Sequence, residues 1–99
     1  MIQINGTIKL ASGSGQEIID ALIKMAHTSR AEDGCLDYTF ARDLTDPDTL
    51  VLYERWRDRA ALDAHFVSPH MAEFQKALAA GPGAERNIRL YETDDGQPL

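Results

Sequence analysis

Hydrophobic and polar residues alternate along the first stretch of the chain. Ile2, Ile4, Ile8 and Leu10 share one parity, with Gly6 among them. Gln3, Asn5, Thr7 and Lys9 share the other. A period of two predicts a half-buried strand. Residues 16–30 change to helical spacing, with Ile18, Ile19, Leu22, Ile23 and Ala26 on one stripe. Alternation returns from Cys35 to Arg42, where Leu36, Tyr38 and Phe40 fall together. A further strand runs from Leu50 to Trp56 and is apolar on both parities. Between them Thr45-Asp46-Pro47-Asp48 predicts a hairpin turn. Asp58 is placed to cap a short helix carrying Leu62, His65 and Phe66 on one face. Ser68-Pro69 reads as the N-cap and first-turn proline of another helix, which presents Met71, Phe74 and Leu78. Gly81-Pro82-Gly83 closes that helix. A last strand is predicted over residues 87–92, with Ile88 and Leu90 opposite Arg89 and Tyr91.

The resulting order, β-α-β-β-α-β, predicts an α+β fold of the ferredoxin-like kind with an antiparallel sheet. Residues 1–93 form one expected domain, and 94–99 a polar tail. Helical segments in this order cover only one face of a four-stranded sheet. Yet the third strand offers Val51 and Tyr53 to one face and Leu50, Leu52 and Trp56 to the other. Both faces call for burial, and a second copy stacking sheet on sheet meets that need. A homodimer is therefore expected.

Composition narrows the function classes. The chain has 99 residues, of which 43% are hydrophobic and 26% charged, with a formal net charge of −6. The acidic balance argues against a nucleic-acid partner, because phosphate neutralisation needs a basic patch. No apolar run approaches the ~18 residues of a membrane span. Residues 1–5 lack the basic and long apolar regions of a signal peptide, so none is expected. A single cysteine, Cys35, fits a reducing cytoplasm and excludes an internal disulfide.

The chemistry-bearing residues are few. Gly13-Ser14-Gly15 lacks the lysine and the spacing of a phosphate loop and reads as a turn. Cys35 lies between Asp33 and Asp37, which would raise its pKa, so it reads as structural rather than nucleophilic. His65 and His70 are five residues apart with Pro69 between them. A helical metal pair wants three or four, so no metal site is expected from this spacing, and one would need ligands assembled from distant segments. His65 lies on the apolar stripe and should point inward. Glu54 shares the parity of Leu52 and Trp56, so it too should be buried and need a partner. That partner is either His65, making a tuned base, or an arginine such as Arg42 or Arg55, making a structural pair. Tyr38, Trp56, Phe66, Met71, Phe74 and Tyr91 supply either plain core packing or the walls of a flat apolar pocket, to which Asn5 and Thr7 could add polar handles.

Three segments carry a resemblance. Ala31-Glu32-Asp33-Gly34-Cys35-Leu36-Asp37-Tyr38 resembles the "EPGCLxY" segment of the antibiotic biosynthesis monooxygenase family. Val51 to Trp56 resembles its "LYERW" strand, and Ala61 to Met71 its "ALDAHxxSPH" stretch. The resemblance implies the dimeric α+β barrel fold. It also implies oxidation of a quinol or polycyclic phenol by dioxygen without metal, flavin or haem. On that basis His65 is the expected base, Glu54 its orienting group, and Asn5 the holder of a carbonyl or phenolate oxygen. Tyr38, Trp56, Phe66, His70 and Phe74 are the expected substrate contacts. Haem-degrading relatives need a ligand histidine where this chain has Gln75, a poor iron ligand. A relative that isomerises a phosphorylated signalling carbohydrate shares the His65, Pro69 and His70 pattern. That alternative needs basic residues at the pocket mouth, with Arg30, Arg42 and Arg89 as candidates. A non-catalytic dimeric ligand-binding or stress module is the third reading.

Overall fold

The computed structural model describes all 99 residues. Its order is β1 (Ile2–Leu10), α1 (Gln16–Arg30), β2 (Cys35–Asp43), β3 (Asp46–Trp56), α2 (Arg59–Phe66), α3 (Pro69–Ala80) and β4 (Ala84–Glu92). The strands form one antiparallel sheet in the order β2-β3-β1-β4. This is the ferredoxin-like arrangement, with the second helical crossover broken in two at Val67-Ser68. No helix is long and apolar enough to cross a membrane.

The caps follow the sequence. Asp58 accepts a hydrogen bond from the Ala61 amide at 2.9 Å and starts α2. Ser68 accepts from the Met71 amide at 3.2 Å, with Pro69 at the first helical position of α3. The hairpin differs from expectation. Its tip is Leu44-Thr45, and Asp46, Pro47 and Asp48 already belong to β3. Asp43 fixes that tip, because its carboxylate accepts from both the amide and the hydroxyl of Thr45 at 2.8 Å. Such an Asx turn competes well with the proline signal. The polar tail is tied to the sheet at one point, where Arg55 donates to Asp95 at 2.9 Å.

Register decides what faces the helices. Ile4 pairs with Glu54, Gly6 with Leu52 and Ile8 with Leu50, so the even positions of β1 and β3 share the covered face. Ile2, Ile4, Tyr38, Leu52 and Trp56 pack there against Met25, Ala26 and Leu62. A smaller cluster joins Ile8, Leu10, Leu22 and Leu50. The odd positions face away. No helix covers Val51, Tyr53 or Tyr91, which remain exposed.

The covered face is filled unevenly. Helix α3 packs on α1 but stands off the sheet, and none of its residues is fully buried. The space left between α3 and the strands is a cleft. Close strand approach beside this space depends on Gly6. A Cβ there would lie 2.1 Å from the Asn87 carbonyl oxygen and 2.6 Å from Ile88 Cα. Gly6→Ala is expected to lower stability by about 1–3 kcal/mol through overpacking. Urea unfolding checks this, with a lower midpoint at unchanged slope as the expected result.

Candidate active site

His65 occupies the last turn of α2, with 1% of its surface exposed. Asp58 sets the helix start. The spacing from Leu62 to His65 then turns the ring to the same buried side as Leu62. The imidazole lies 4.7 Å from the Trp56 ring and 5.5 Å from Tyr38, centroid to centroid. Its Nδ1 is 2.5 Å from Glu32 Oε2. An ionised carboxylate only accepts, so the ring proton sits on Nδ1. That leaves Nε2 with a lone pair, and this buried atom has no partner in the protein. Burial holds the pKa of His65 below its ordinary value, against the opposing pull of Glu32.

Glu32 is the residue that sequence reasoning did not place in the site. It sits in the turn after α1, beside Gly34, whose φ of +84° suits glycine. The same Oε2 also meets His70 Nε2 at 3.0 Å. His65 and His70 are thus brought together after all. The break between α2 and α3 replaces the helical spacing that would have separated them. Ser68 fixes that break, donating to the His65 carbonyl at 2.7 Å. A buried inward histidine in need of a carboxylate was the available signal. The distance of 33 positions hid which carboxylate answers it.

Glu54 is buried as expected but its partner is neither of those proposed from sequence. Trp56 Nε1 donates to Glu54 Oε1 at 2.8 Å, while Glu32 takes His65. Trp56 is two positions along the same strand and so projects from the same face, which gives it the shortest reach. Burial pushes the Glu54 carboxyl up to about 7. The Trp56 bond works against this, and the charge of Glu32 adds to it. Burial also raises the Tyr38 hydroxyl, with Glu54 contributing. The Cys35 thiol is pushed up to about 11, by burial first and then by Glu32. It is no ready nucleophile.

The cleft has a volume of about 650 Å³, within the range of small-molecule sites. Ile4, Ile8 and Leu52 form its floor, and Tyr38, Phe66 and Phe74 its aromatic walls. Glu54 and His65 bring polar groups to it. Trp56 does not line it, being fully buried behind His65. His70 lines a separate recess with Lys24 and Glu73. Asn5 is elsewhere. It pairs with Tyr53 and Arg89 on the uncovered face and accepts from Gln3 at 3.2 Å. Its placement beside His65 is corrected by strand parity, because the polar side of β1 points away from the helices. The three arginines named for a phosphate also miss the cleft. Arg30 and Arg42 line another recess with His27, and Arg89 faces outward beside Asn5. The cleft's one arginine is Arg86, exposed on β4 opposite Ile8.

Residues 1–77 match the sequence pattern of the family described as "Antibiotic biosynthesis monooxygenase". The chain belongs to this family. It is 32% identical over 85 residues to "Probable quinol monooxygenase YgiN" of Escherichia coli, covering 78% of this chain and 81% of the relative. An uncharacterized protein of Synechocystis is 33% identical over 98 residues, covering 99% of this chain and 67% of that protein. Among solved structures, Rv0793 of Mycobacterium tuberculosis superposes with a TM-score of 0.85 at 25% identity, covering 98% of each chain. A conserved protein of Methanosarcina mazei gives 0.84 at 26%, covering 94% of this chain and 92% of that one. These likenesses agree with the fold derived from register and caps.

Proposed function

We propose that this protein is a cofactor-independent monooxygenase acting on a quinol or phenolic ring with dioxygen. The observation that carries the reading is the unpartnered Nε2 of His65, buried beside an apolar cleft while Nδ1 is held by Glu32. Such an atom is set to accept the proton of a ligand hydroxyl. The name of the E. coli relative supports the substrate class.

The substrate supplies the electrons. His65 Nε2 takes the phenolic proton, and the resulting anion passes one electron to dioxygen. The radical pair combines to form a carbon–oxygen bond on the ring. The peroxide takes up a proton from Glu54, the O–O bond breaks as the ring carbon's hydrogen leaves as a proton to the departing hydroxide, and the proton held by His65 returns to Glu54. The products are a quinone and one water. The oxidation of a phenol carbon bearing hydrogen to a quinone thus consumes all four oxidising equivalents of one O2. Glu54, half-protonated near neutrality, lies where it can deliver the peroxide's proton. Tyr38, Phe66 and Phe74 hold the ring and exclude water. Trp56 backs His65, and His70 steadies Glu32.

Oxygen uptake with a panel of naphthols and reduced naphthoquinones tests this, using chelator-treated protein. Turnover with one atom of 18O2 in the product is expected for at least one member. No uptake above the uncatalysed rate across the panel would contradict the reading.

The working form is proposed to be a cytoplasmic homodimer, formed through the uncovered sheet face. Val51, Tyr53 and Tyr91 support this as exposed apolar and aromatic positions on that face. Light scattering at micromolar concentration should give about twice the chain mass, and Tyr53→Lys should shift it toward monomer. A wild-type monomer would contradict the dimer.

A further inference from the structure

We infer that Glu32, His65 and His70 form a binding site for a divalent transition-metal ion, with Zn2+ the best-suited common ion. The three side chains come from three elements: the turn after α1, the end of α2 and the start of α3. Their ligand atoms, Oε2, Nδ1 and Nε2, lie within 4.8 Å of one another. Bonds of about 2.0–2.2 Å to zinc place ligand atoms about 3.3–3.6 Å apart in a tetrahedron, so small side-chain adjustments close the site. The donor set also selects the ion. Two imidazoles and one carboxylate suit zinc and its first-row neighbours, whereas calcium and magnesium prefer all-oxygen sites.

Two features make this a built site. One carboxylate oxygen serves both histidines, at 2.5 Å and 3.0 Å, so one position between them already carries negative charge. The surroundings also fix the ligands. Ser68 ties the α2–α3 break, and Trp56 packs against the His65 ring at a tilt. Such outer contacts raise affinity by fixing ring orientation. His70 and Glu32 keep 15% and 17% of their side chains exposed, which gives the ion an entry path and leaves positions for water. An ion there replaces the two ring protons that now point at Glu32.

Occupancy has a consequence for His65. Coordination through Nδ1 leaves the ring proton on Nε2. The lone pair proposed as the base is then gone, and the ion acts as an inhibitor. This consequence rests on the proposed function; the binding itself does not.

Calorimetric titration of the full chain with Zn2+ tests the site. One ion per chain is expected for wild type and for His27→Ala, which removes the exposed histidine outside the cluster. His70→Gln and Glu32→Gln should each weaken binding by more than about 10-fold, the least expected from losing a direct ligand. Circular dichroism confirms that the variants remain folded. Ring resonances of His65 and His70 in the wild type should shift on Zn2+ addition, a readout that needs no variant. No binding, binding unchanged in both ligand variants, or unshifted ring signals would overturn the inference. Oxygen uptake measured in parallel separates the two ideas. Zinc that binds here without slowing turnover leaves the metal site standing and removes His65 as the base.

Discussion

Replacing His65 with alanine should lower the turnover rate on the best phenol or quinol substrate by about 10²–10⁴-fold, the range supplied by a positioned base. The effect should fall on kcat more than on KM. The aromatic walls, Tyr38, Phe66 and Phe74, still bind the ring, while the unpartnered lone pair of His65 Nε2 is lost. Glu32→Gln tests the positioning role of the carboxylate. A glutamine amide can donate to Nδ1, and that arrangement puts the ring proton on Nε2, where it blocks the base. Turnover should therefore drop although no group touching substrate has changed. Glu32→Asp, which keeps the charge and the accepting oxygens, should restore part of it. A His65→Gln variant with an intact fold by circular dichroism guards against simple unfolding. Activity within a few-fold of wild type in both His65 variants would remove this residue from the reaction.

Glu54→Gln should make the protein more stable at pH 8, by about 3 kcal/mol. The sign follows from the carboxyl's raised pKa. An unfolded glutamate titrates near 4.5, and the folded one near 7. Below 4.5 both states carry the proton, and its favourable contribution to folding is complete. Between 4.5 and 7 the folded state holds a proton that the unfolded state has released, so stability falls as pH rises. Above 7 the buried charge exerts its full penalty. Glutamine carries no charge at any pH and its carbonyl can still accept from Trp56 Nε1. Urea unfolding at pH 4.5 and pH 8 should thus show a variant advantage that grows with pH. An equal difference at both values would mean that Glu54 is not desolvated as the structure has it. Turnover of this variant should fall if Glu54 delivers the peroxide's proton.

Much of this architecture is legible in the chain. The parity of β1 gives both its buried and its open face, and Asp58 and Ser68-Pro69 give two helix starts at the right residues. Aromatic and polar groups of the cleft were also nameable, since Tyr38, Phe66, Phe74, Glu54 and His65 all reach it. What failed did so for physical reasons. Both the polar character of Asn5 and the family resemblance point it to the site, although its own parity sends it to the open face. Inward parity asks for a partner for Glu54 but does not say which, and Trp56, two residues away on the same side, is the nearest donor. Nothing local marks Glu32, because a turn glutamate beside an aspartate and a glycine reads as solvated. Its burial comes from α2 and α3 closing over it, a contact that no local pattern encodes. The same closure unites His65 and His70 across a helix break, which spacing rules for a continuous helix cannot anticipate.

The central claim is that the fold pins one nitrogen of His65 and leaves the other without a protein partner, to be met by a ligand hydroxyl. Nitrogen-15 NMR of the imidazole ring in metal-free protein at neutral pH reads this directly. The account predicts a neutral ring with its proton on Nδ1, and an Nε2 signal that moves when a phenolic ligand is added. A proton found on Nε2, or an Nε2 signal indifferent to every ligand that enters the cleft, would contradict it.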